Sequence, residues 1–260
     1  MKIHPTCVVS KEAQIAEDVE MGPFCIVRGK VKIGAGTKLD SHVSIGSETG
    51  ITEIGKGNTI CAGAALGGLP QDIHYKGEPT KLVIGDHNMI REYSSINIGT
   101  VKGGGETRIG DHNLIMAYVH IGHDCRVGNQ NTIVNSTQIA GHVQIDHKVT
   151  IGGVCGINQF VRIGSYAFVA GYSAVNKDII PYSIAGGNYA VARATNKIGL
   201  ERSGLTAEVI EDLHRALRIL IKGSSTIQDA LVRIEAECRP GPEVLYLTDF
   251  VRNSKRGIGK

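Results

Sequence analysis

The chain has 260 residues, of which 42% are hydrophobic, so a sizeable core is possible and a disordered chain is not expected. The 28 Lys and Arg residues nearly balance the 25 Asp and Glu residues, and a net charge of +3 does not favour a nucleic-acid binder. Trp is absent and Gly totals 34, which argues against an ordinary globule built on aromatic clusters. We expect a narrower, repetitive architecture.

The sequence contains no apolar stretch long enough to span a bilayer, and its first residues lead directly into polar sequence. We therefore expect a cytoplasmic protein without stable membrane insertion. None of the six cysteines forms a Cys-x-x-Cys pair, and a reducing compartment disfavours disulfides. Four cysteines fall in the small-residue position of the repeat described next, which predicts packing roles for Cys7, Cys25, Cys125 and Cys155.

A period of six residues runs through two thirds of the chain. Its first block places aliphatic residues at Ile3, Val9, Ile15, Met21, Val27, Ile33, Leu39 and Ile45. Shorter blocks follow at Ile54, Ile60 and Leu66 and at Ile84, Ile90 and Ile96. The last block is unbroken at Ile109, Ile115, Ile121, Val127, Ile133, Ile139, Ile145, Ile151, Ile157, Ile163, Val169 and Val175.

This repeat predicts a parallel β-helix, in which each unit forms one side of a triangular coil and three units complete a turn. Glycine often follows the aliphatic residue, as at Gly34, Gly122, Gly128, Gly152 and Gly164. We attribute these glycines to the positive φ that a sharp corner requires.

The chain from Pro181 onward carries helical patterns that predict a cap over the open strand edges of the coil stack. Thr206 precedes the first apolar pattern, Ser225 to Gln228 resembles a capping box before the second, and Pro242 can open the third. We divide the chain into a β-helix domain at residues 1–185 and a helical domain at residues 186–260.

Residues 67–83 and 97–108 leave the six-residue register, and such departures are the first places to look for a site. The second contains Gly103, Gly104 and Gly105 but no Gly-Lys-Ser/Thr ending, so it is not a phosphate-binding loop. We expect a mobile loop there.

A histidine cluster lies inside the unbroken register. With three units per coil, His123, Gly141 and Gln159 stack in one column at steps of about 4.8 Å, with His120 and His142 beside them. A single histidine on a solenoid is usually a solvated surface residue, but clustering favours catalysis. Hydroxyl acylation needs a general base and an oxyanion donor, which a histidine beside a glycine N–H can provide.

Asp124 follows His123 directly and could fix the tautomer of its imidazole. Adjacent side chains on a straight strand point to opposite faces, so this pairing requires a local turn.

Several segments together resemble the UDP-N-acetylglucosamine O-acyltransferase family over essentially the whole chain. They are Gln71–Thr80, His120–Cys125, Ala140–Val143, Gly187–Asn188 and Thr248–Phe250 with Arg256–Gly257. The resemblance implies a left-handed coil and a homotrimer with active sites between subunits. It implies transfer of an (R)-3-hydroxyacyl chain from acyl carrier protein to the 3-position of UDP-N-acetylglucosamine, the first step of lipid A biosynthesis.

The resemblance also implies residue roles. His123 would be the general base, Asp124 its orienting partner, and the Gly141 N–H the oxyanion donor. Substrate contacts would come from Gln71, Asp72, His74, His120, His142, Gln159, Gly171, Asn196 and Arg202. Within this set, Asn196 and Arg202 would lie near the nucleotide, and Gly171 near the acyl-chain end.

No metal or bound cofactor is implied, because the acyl chain arrives on the phosphopantetheine of the carrier protein. That acidic partner suits a basic C-terminal end made of Lys222, Arg252, Lys255, Arg256 and Lys260, although a solvated surface is the simpler explanation of these side chains.

Three positions depart from the family pattern, in which Lys is common at His74, His at Asn158 and Arg at Ser203. These changes leave open a relative that acylates a 3-amino sugar. The later N-acyltransferase of the pathway carries an additional N-terminal domain, for which repeats that begin at Ile3 leave no room. A zinc carbonic anhydrase using His120, His123 and His142, an acetyl-CoA-dependent sugar acetyltransferase and a non-enzymatic scaffold also remain.

Overall fold

The computed structural model describes residues 2–223 and 226–260, and short strands in three sheets form a parallel β-helix. The first sheet contains Lys2–Ile3, Glu20–Met21, Lys38–Leu39, Thr59–Ile60, Met89–Ile90, Leu114–Ile115, Thr132–Ile133, Thr150–Ile151, Phe168–Val169, Ser183–Gly187 and Ala190–Thr195. The second contains Val8–Val9, Ile26–Val27, Ser44–Ile45, Ala65–Gly68, Ser95–Asn97, His120–Ile121, Gln138–Ile139, Gly156–Ile157 and Ala174–Val175. The third contains Gln14–Ile15, Lys30–Ile33, Ile51–Ile54, Lys81–Ile84, Glu106–Ile109, Arg126–Val127, Gln144–Ile145 and Arg162–Ile163.

The strand register confirms the predicted coil of three units. Ile115 pairs with Ile133, Ile133 with Ile151, and Ile151 with Val169, and all four side chains are buried. The aliphatic residues of the period therefore form one continuous core along the coil axis.

The two predicted interruptions are real but shorter than the sequence suggested, because the flanking strands extend to Gly68 and begin again at Lys81. The loops that remain cover residues 69–80 and 98–105. The second loop is hydrogen-bonded to Lys81, the residue that directly follows the first loop. Lys81 donates its N–H to Gly105 O at 2.9 Å and accepts the N–H of Gly99 at 3.1 Å. The two departures from the repeat therefore meet on one edge of the coil.

At the five glycines named above, the predicted reason was wrong, although Gly46 and Gly67, which follow Ile45 and Leu66, do have positive φ. Positive φ occurs two positions later, at residues with side chains such as Tyr118 (61°) and Ser136 (62°). The glycines are needed for close packing between coils. A Cβ at Gly122 would lie 2.9 Å from Gly141 N, and a Cβ at Gly152 would lie 2.4 Å from Gly171 N. The same crowding applies at Gly34, Gly128 and Gly164, where backbone or ring atoms of the next coil lie within 2.6 Å.

The packing role predicted for the cysteines is confirmed. All six are free thiols; Cys25, Cys125 and Cys155 are buried, and Cys7 is half-buried against the core. Their thiols donate to backbone carbonyls of the neighbouring coil; Cys25 Sγ, for example, lies 2.8 Å from Asp40 O. Burial raises the pKa of Cys125 to about 12, so that thiol is unreactive at neutral pH.

The described residues of the C-terminal part form four helices, α1 (Lys197–Arg202), α2 (Ala207–Lys222), α3 (Ile227–Glu237) and α4 (Pro242–Arg252). Three were predicted, and α1 was missed because it has only six residues. Thr206 caps α2 and Pro242 opens α4, as predicted. The capping box before α3 is shifted, since it pairs Thr226 with Asp229; Ser225 lies outside the described residues.

An antiparallel pair, Ser183–Gly187 with Ala190–Thr195, extends the first sheet and leads into the helices. The predicted domain boundary after residue 185 falls within the first of these strands and stays a prediction. Tyr246 of α4 ties the helices to the coil, because its hydroxyl donates to Asp146 and accepts the Ser165 N–H. Among the described residues, no helix combines the length and apolar character needed to cross a bilayer.

Candidate active site

His123 and Asp124 form a hydrogen-bonded pair at a corner of the coil. His123 Nδ1 lies 2.7 Å from Asp124 Oδ2, and the side chains are 12% and 0% exposed. Asp124 has a φ of 61°, which turns the chain and lets two adjacent side chains point to the same side. The predicted local turn is confirmed. A carboxylate at one ring nitrogen leaves the other, Nε2, able to accept a proton.

Gly141 lies directly against this imidazole. A Cβ at this position would be 2.7 Å from His123 Cε1 and 2.8 Å from Nε2, so only glycine lets the ring occupy its place. Within the described residues, the Gly141 N–H forms no hydrogen bond. The site therefore joins a free backbone donor to a histidine, the combination that an acyl transfer needs.

His142 lies edge-on to His123, with the two ring centroids 5.1 Å apart, and stacks on Phe160 at 4.5 Å. Its Nε2 is 3.7 Å from Asp124 Oδ2. Burial lowers the pKa of His142, and this outweighs the opposite effect of the Asp124 carboxylate. His142 is therefore a neutral imidazole at pH 7.

His120 is a second neutral histidine in the site. Burial, followed by the proximity of His123, lowers its pKa. Its Nδ1 lies 2.8 Å from Ser95 Oγ, which fixes the ring plane. Neutral imidazoles can donate or accept a hydrogen bond with a sugar hydroxyl or a phosphate without adding charge beside the base.

His120, His123 and Gly141 line an open cleft of about 370 Å³ on the face of the second sheet. It brings together five of the predicted site residues, Gln71, His120, His123, Gly141 and Gln159. Asn158, one of the departures from the family pattern, also faces the cleft. The column geometry inferred from the three-unit coil is therefore correct.

The chain matches known proteins along its whole length. The family model described as "Udp N-acetylglucosamine O-acyltransferase; Domain 2" matches residues 178–259, and the bacterial transferase hexapeptide model matches residues 106–141. The acyl-[acyl-carrier-protein]–UDP-N-acetylglucosamine O-acyltransferase of Thermodesulfovibrio yellowstonii is 44% identical over 257 residues, covering 99% of this chain and 98% of that protein. The protein of the same name from Burkholderia orbicola is 46% identical with the same coverage.

The chain belongs to the UDP-N-acetylglucosamine O-acyltransferase family. Solved structures agree with this assignment. The UDP-N-acetylglucosamine O-acyltransferase of Moraxella catarrhalis is 44% identical, covers all of both chains and superimposes with a TM-score of 0.94. The corresponding enzyme of Bacteroides fragilis is 40% identical, with a TM-score of 0.95 over 99% of this chain and 100% of that one. The predicted left-handed parallel β-helix with a C-terminal helical region is thereby confirmed.

Other residues that the family resemblance pointed to lie outside the cleft of this single acyltransferase chain. Asp72 and His74 stand on the loop 69–80. Asp72 accepts the His74 N–H at 2.9 Å, and this hydrogen bond lowers the pKa of the Asp72 carboxyl. The His74 side chain is exposed, and His142 contacts His123 edge-on without lining the cleft.

Gly171, Asn196 and Arg202 are also absent from the cleft lining. Gly171 is exposed at a different corner, the one that follows the first sheet. Asn196 caps α1: its side chain accepts the Gly199 N–H and donates to Tyr166 O. Arg202 is exposed at the end of the same helix.

The site also contains one arrangement of possible metal ligands. His123, Asp124 and His142 each place a ligand atom within 4.8 Å of the others. His120, which the zinc alternative required, is not part of this group among the described residues.

Sequence reasoning missed the residues that hold Asp124. Thr100 donates both its N–H and its hydroxyl to the Asp124 carboxylate, each at 2.7 Å. Thr107 Oγ1 accepts the Asp124 N–H at 2.7 Å. The one signal in the sequence was the position of Thr100 in the second interruption, just before the triple glycine.

Proposed function

We propose that the protein transfers an (R)-3-hydroxyacyl chain from acyl carrier protein to the 3-hydroxyl of UDP-N-acetylglucosamine, the first step of lipid A biosynthesis. The observation that carries this proposal is the His123–Asp124 pair beside the unbonded Gly141 N–H, within an open cleft. Family membership supports the same donor and acceptor, which the relatives' names state. We further propose a cytoplasmic location, the compartment of both substrates.

The reaction follows from the geometry of this pair. His123 Nε2 accepts the proton of the sugar hydroxyl while the hydroxyl oxygen bonds to the thioester carbonyl carbon. The carbonyl oxygen becomes an oxyanion, which the Gly141 N–H stabilises. The intermediate then releases the phosphopantetheine sulfur, which takes the proton back from the His123 imidazolium. Asp124 stabilises that imidazolium while it is charged.

The acceptor sugar and its phosphates would occupy the cleft beside these groups. Gln71 and Gln159 provide amide donors and acceptors along its lining, and His120 provides a neutral ring. Asp72 and His74 extend from the adjoining loop, and His142 supports the ring of His123. A 3-amino acceptor would fit the same base and oxyanion donor, so the assay below includes it.

A single chain does not assemble the whole set of expected contacts. His123 and Gly171 occupy different corners of the coil, and Arg202 lies on the helical part. We therefore propose a homotrimer, in which one corner of each copy meets another corner of the next copy. Such head-to-tail contacts close into rings. The acyl-chain end near Gly171 and the nucleotide contacts of Asn196 and Arg202 would then come from the neighbouring subunit.

The acidic carrier protein would dock on the helical part, beside the basic side chains of α2. Arg218 and Lys222, which form no ion pair among the described residues, border two adjoining clefts on α2; Arg193 lines one cleft, and the other contains Arg233, which is paired with Glu237. By contrast, Arg252 of the predicted basic end is paired with Glu235 and Asp249. Complementary charge of this kind mainly guides partner encounter and orientation. The acyl chain arrives on phosphopantetheine, so the proposal needs no bound cofactor.

A zinc-dependent hydration activity is the second candidate, and the ligand atoms of His123, Asp124 and His142 are the observation that favours it. The two functions make opposite predictions for metal removal. Treatment with a strong chelator should leave acyl transfer unchanged, and metal analysis of the purified protein should show no stoichiometric zinc.

The test of the proposed function is a matrix of donors and acceptors. The donors are hydroxyacyl carrier proteins of several chain lengths and acetyl-CoA; the acceptors are UDP-N-acetylglucosamine and its 3-amino analogue. Transfer from carrier protein at one preferred chain length supports the proposal and identifies the acceptor. Transfer from acetyl-CoA alone, or none with any donor, would reject it.

A further inference from the structure

The triple glycine, expected to be a mobile loop, is an ordered turn beside the catalytic carboxylate. Residues Val101–Gly103 form one turn of 3-10 helix, and Thr100 Oγ1 caps it by accepting the Gly103 N–H at 3.2 Å. Gly104 and Gly105 have φ of 98° and 78°, a left-handed conformation that favours glycine. Gly105 N–H returns to Thr100 O at 2.8 Å and closes the turn.

Thr100 fixes both oxygens of Asp124. Its backbone N–H donates to Oδ1 and its hydroxyl lies 2.7 Å from Oδ2. Thr100 Oγ1 already accepts the Gly103 N–H, so the hydroxyl hydrogen of Thr100 is available for donation to Asp124. Asp124 therefore accepts from Thr100 at both oxygens and must also accept from His123 Nδ1. The two Thr100 contacts hold the carboxylate where its Oδ2 meets His123 Nδ1.

We propose that Thr100 is a positioning residue that fixes the Asp124 carboxylate and, through it, the orientation of the His123 imidazole. The inference rests on the proposed function only in calling His123 the base; the hydrogen-bond chain itself does not depend on it. The triple-glycine turn places Thr100 beside the Asp124 carboxylate. No position of the six-residue period supplies this contact, because Thr100 belongs to an interruption.

Gly103, the first glycine of the turn, is also constrained by Asp124. A Cβ at Gly103 would lie 2.0 Å from Asp124 Cγ, so any side chain there would push the carboxylate away. The turn is also anchored outside itself, because Lys81 N–H donates to Gly105 O at 2.9 Å. It is therefore held in place by the start of a third-sheet strand as well as by its own hydrogen bonds.

The test compares Thr100→Val, which keeps the backbone N–H and the shape but loses the hydroxyl, with Thr100→Ser, which keeps the hydroxyl. Thr37→Val is the matched control, because buried Thr37 Oγ1 likewise accepts an N–H, from Asn58, and donates to a neighbour, Gly55 O. Loss of a hydrogen bond to a charged group predicts that Thr100→Val lowers kcat about tenfold to a hundredfold. KM for the sugar nucleotide should change less than twofold, Thr100→Ser should recover most of kcat, and Thr37→Val should affect stability only.

A second readout does not depend on activity. ¹H–¹⁵N NMR of histidine-labelled protein detects the His123 Nδ1–H that is hydrogen-bonded to Asp124, and His123→Gln assigns the His123 signals. The wild type should show one sharp downfield Nδ1–H signal, and Thr100→Val a weaker signal that exchanges faster with solvent. An unchanged kcat and Nδ1–H signal in folded Thr100→Val would overturn the inference, and so would a Thr100→Ser variant as impaired as Thr100→Val. If the wild type transfers no acyl chain, the proposed function fails while the NMR measurement still decides the role of Thr100.

Discussion

Replacement of Asp124 by Asn changes the direction of hydrogen bonding in the site without changing its shape. The Thr100 N–H is fixed in the backbone 2.7 Å from Oδ1, so it selects the amide oxygen for that position. The amide nitrogen then occupies the place of Oδ2, 2.7 Å from His123 Nδ1. Because an amide nitrogen only donates, Nδ1 must lose its proton and Nε2 must carry one.

The expected loss is large, because the histidine is then held in the tautomer that cannot act as a base. The same substitution in the Ser-His-Asp triad lowers kcat about ten-thousandfold, and we expect a decrease of roughly a thousandfold to ten-thousandfold here. That range corresponds to about 4–5.5 kcal/mol of transition-state stabilisation. The loss should appear in kcat, with KM for the sugar nucleotide nearly unchanged.

The assay is steady-state transfer from hydroxyacyl carrier protein, accompanied by thermal unfolding. Asp178→Asn is the matched control: Asp178 is also buried and accepts one N–H, from Arg162, and one hydroxyl, from Ser254, far from the histidines. It should lose stability and keep kcat. A folded Asp124→Asn enzyme with more than a tenth of wild-type kcat would refute the reasoning.

Four further predictions follow from other contacts. Gly141→Ala should lower kcat about a hundredfold with folding retained, because its Cβ would displace the His123 ring; wild-type kcat would contradict this. The unfolding free energy should fall as pH drops below 6.5, because the lowered pKa of His120 makes the unfolded state bind the proton more readily; denaturant titrations should show a smaller decrease for His120→Gln, and an equal one would contradict it. Tyr246→Phe should destabilise the protein by about 1–3 kcal/mol in denaturant unfolding, because Asp146 and the Ser165 N–H lose their partner; a cost below about 0.5 kcal/mol would count against it. Arg218→Glu should raise KM for acyl carrier protein about fivefold but not KM for a short pantetheine thioester, and equal effects on both donors would argue against docking at α2.

The coil could be predicted from sequence because one physical requirement repeats along it. An inward aliphatic residue every six positions leaves few alternatives to a stacked coil, and the register found between Ile115, Ile133 and Ile151 follows directly. The same periodicity predicts that His123 and Gly141 lie side by side. The starts of α2 and α4 could also be predicted, because an N-cap threonine (Thr206) and a proline at the first helical position (Pro242) are local sequence signals.

The features that could not be predicted depend on contacts that the six-residue repeat does not determine. Thr100 reaches Asp124 from an interruption, so no fixed spacing relates the two residues. The role of Gly122 was misjudged because a glycine that permits close coil packing and one that adopts positive φ look the same in sequence. Asn196 is a proposed ligand contact from the family pattern, and no repeat could show that its amide also caps α1 and donates to Tyr166 O.

The measurement that tests the central claim most directly is the rate of transfer from 3-hydroxyacyl carrier protein to UDP-N-acetylglucosamine by the wild type and by His123→Ala, side by side. The wild type should form a 3-acylated sugar nucleotide. The variant should keep its oligomeric state and thermal stability while losing roughly two to four orders of magnitude in turnover. A wild-type enzyme that forms no such product, or a variant that retains turnover, would contradict the assignment of acyl transfer to His123.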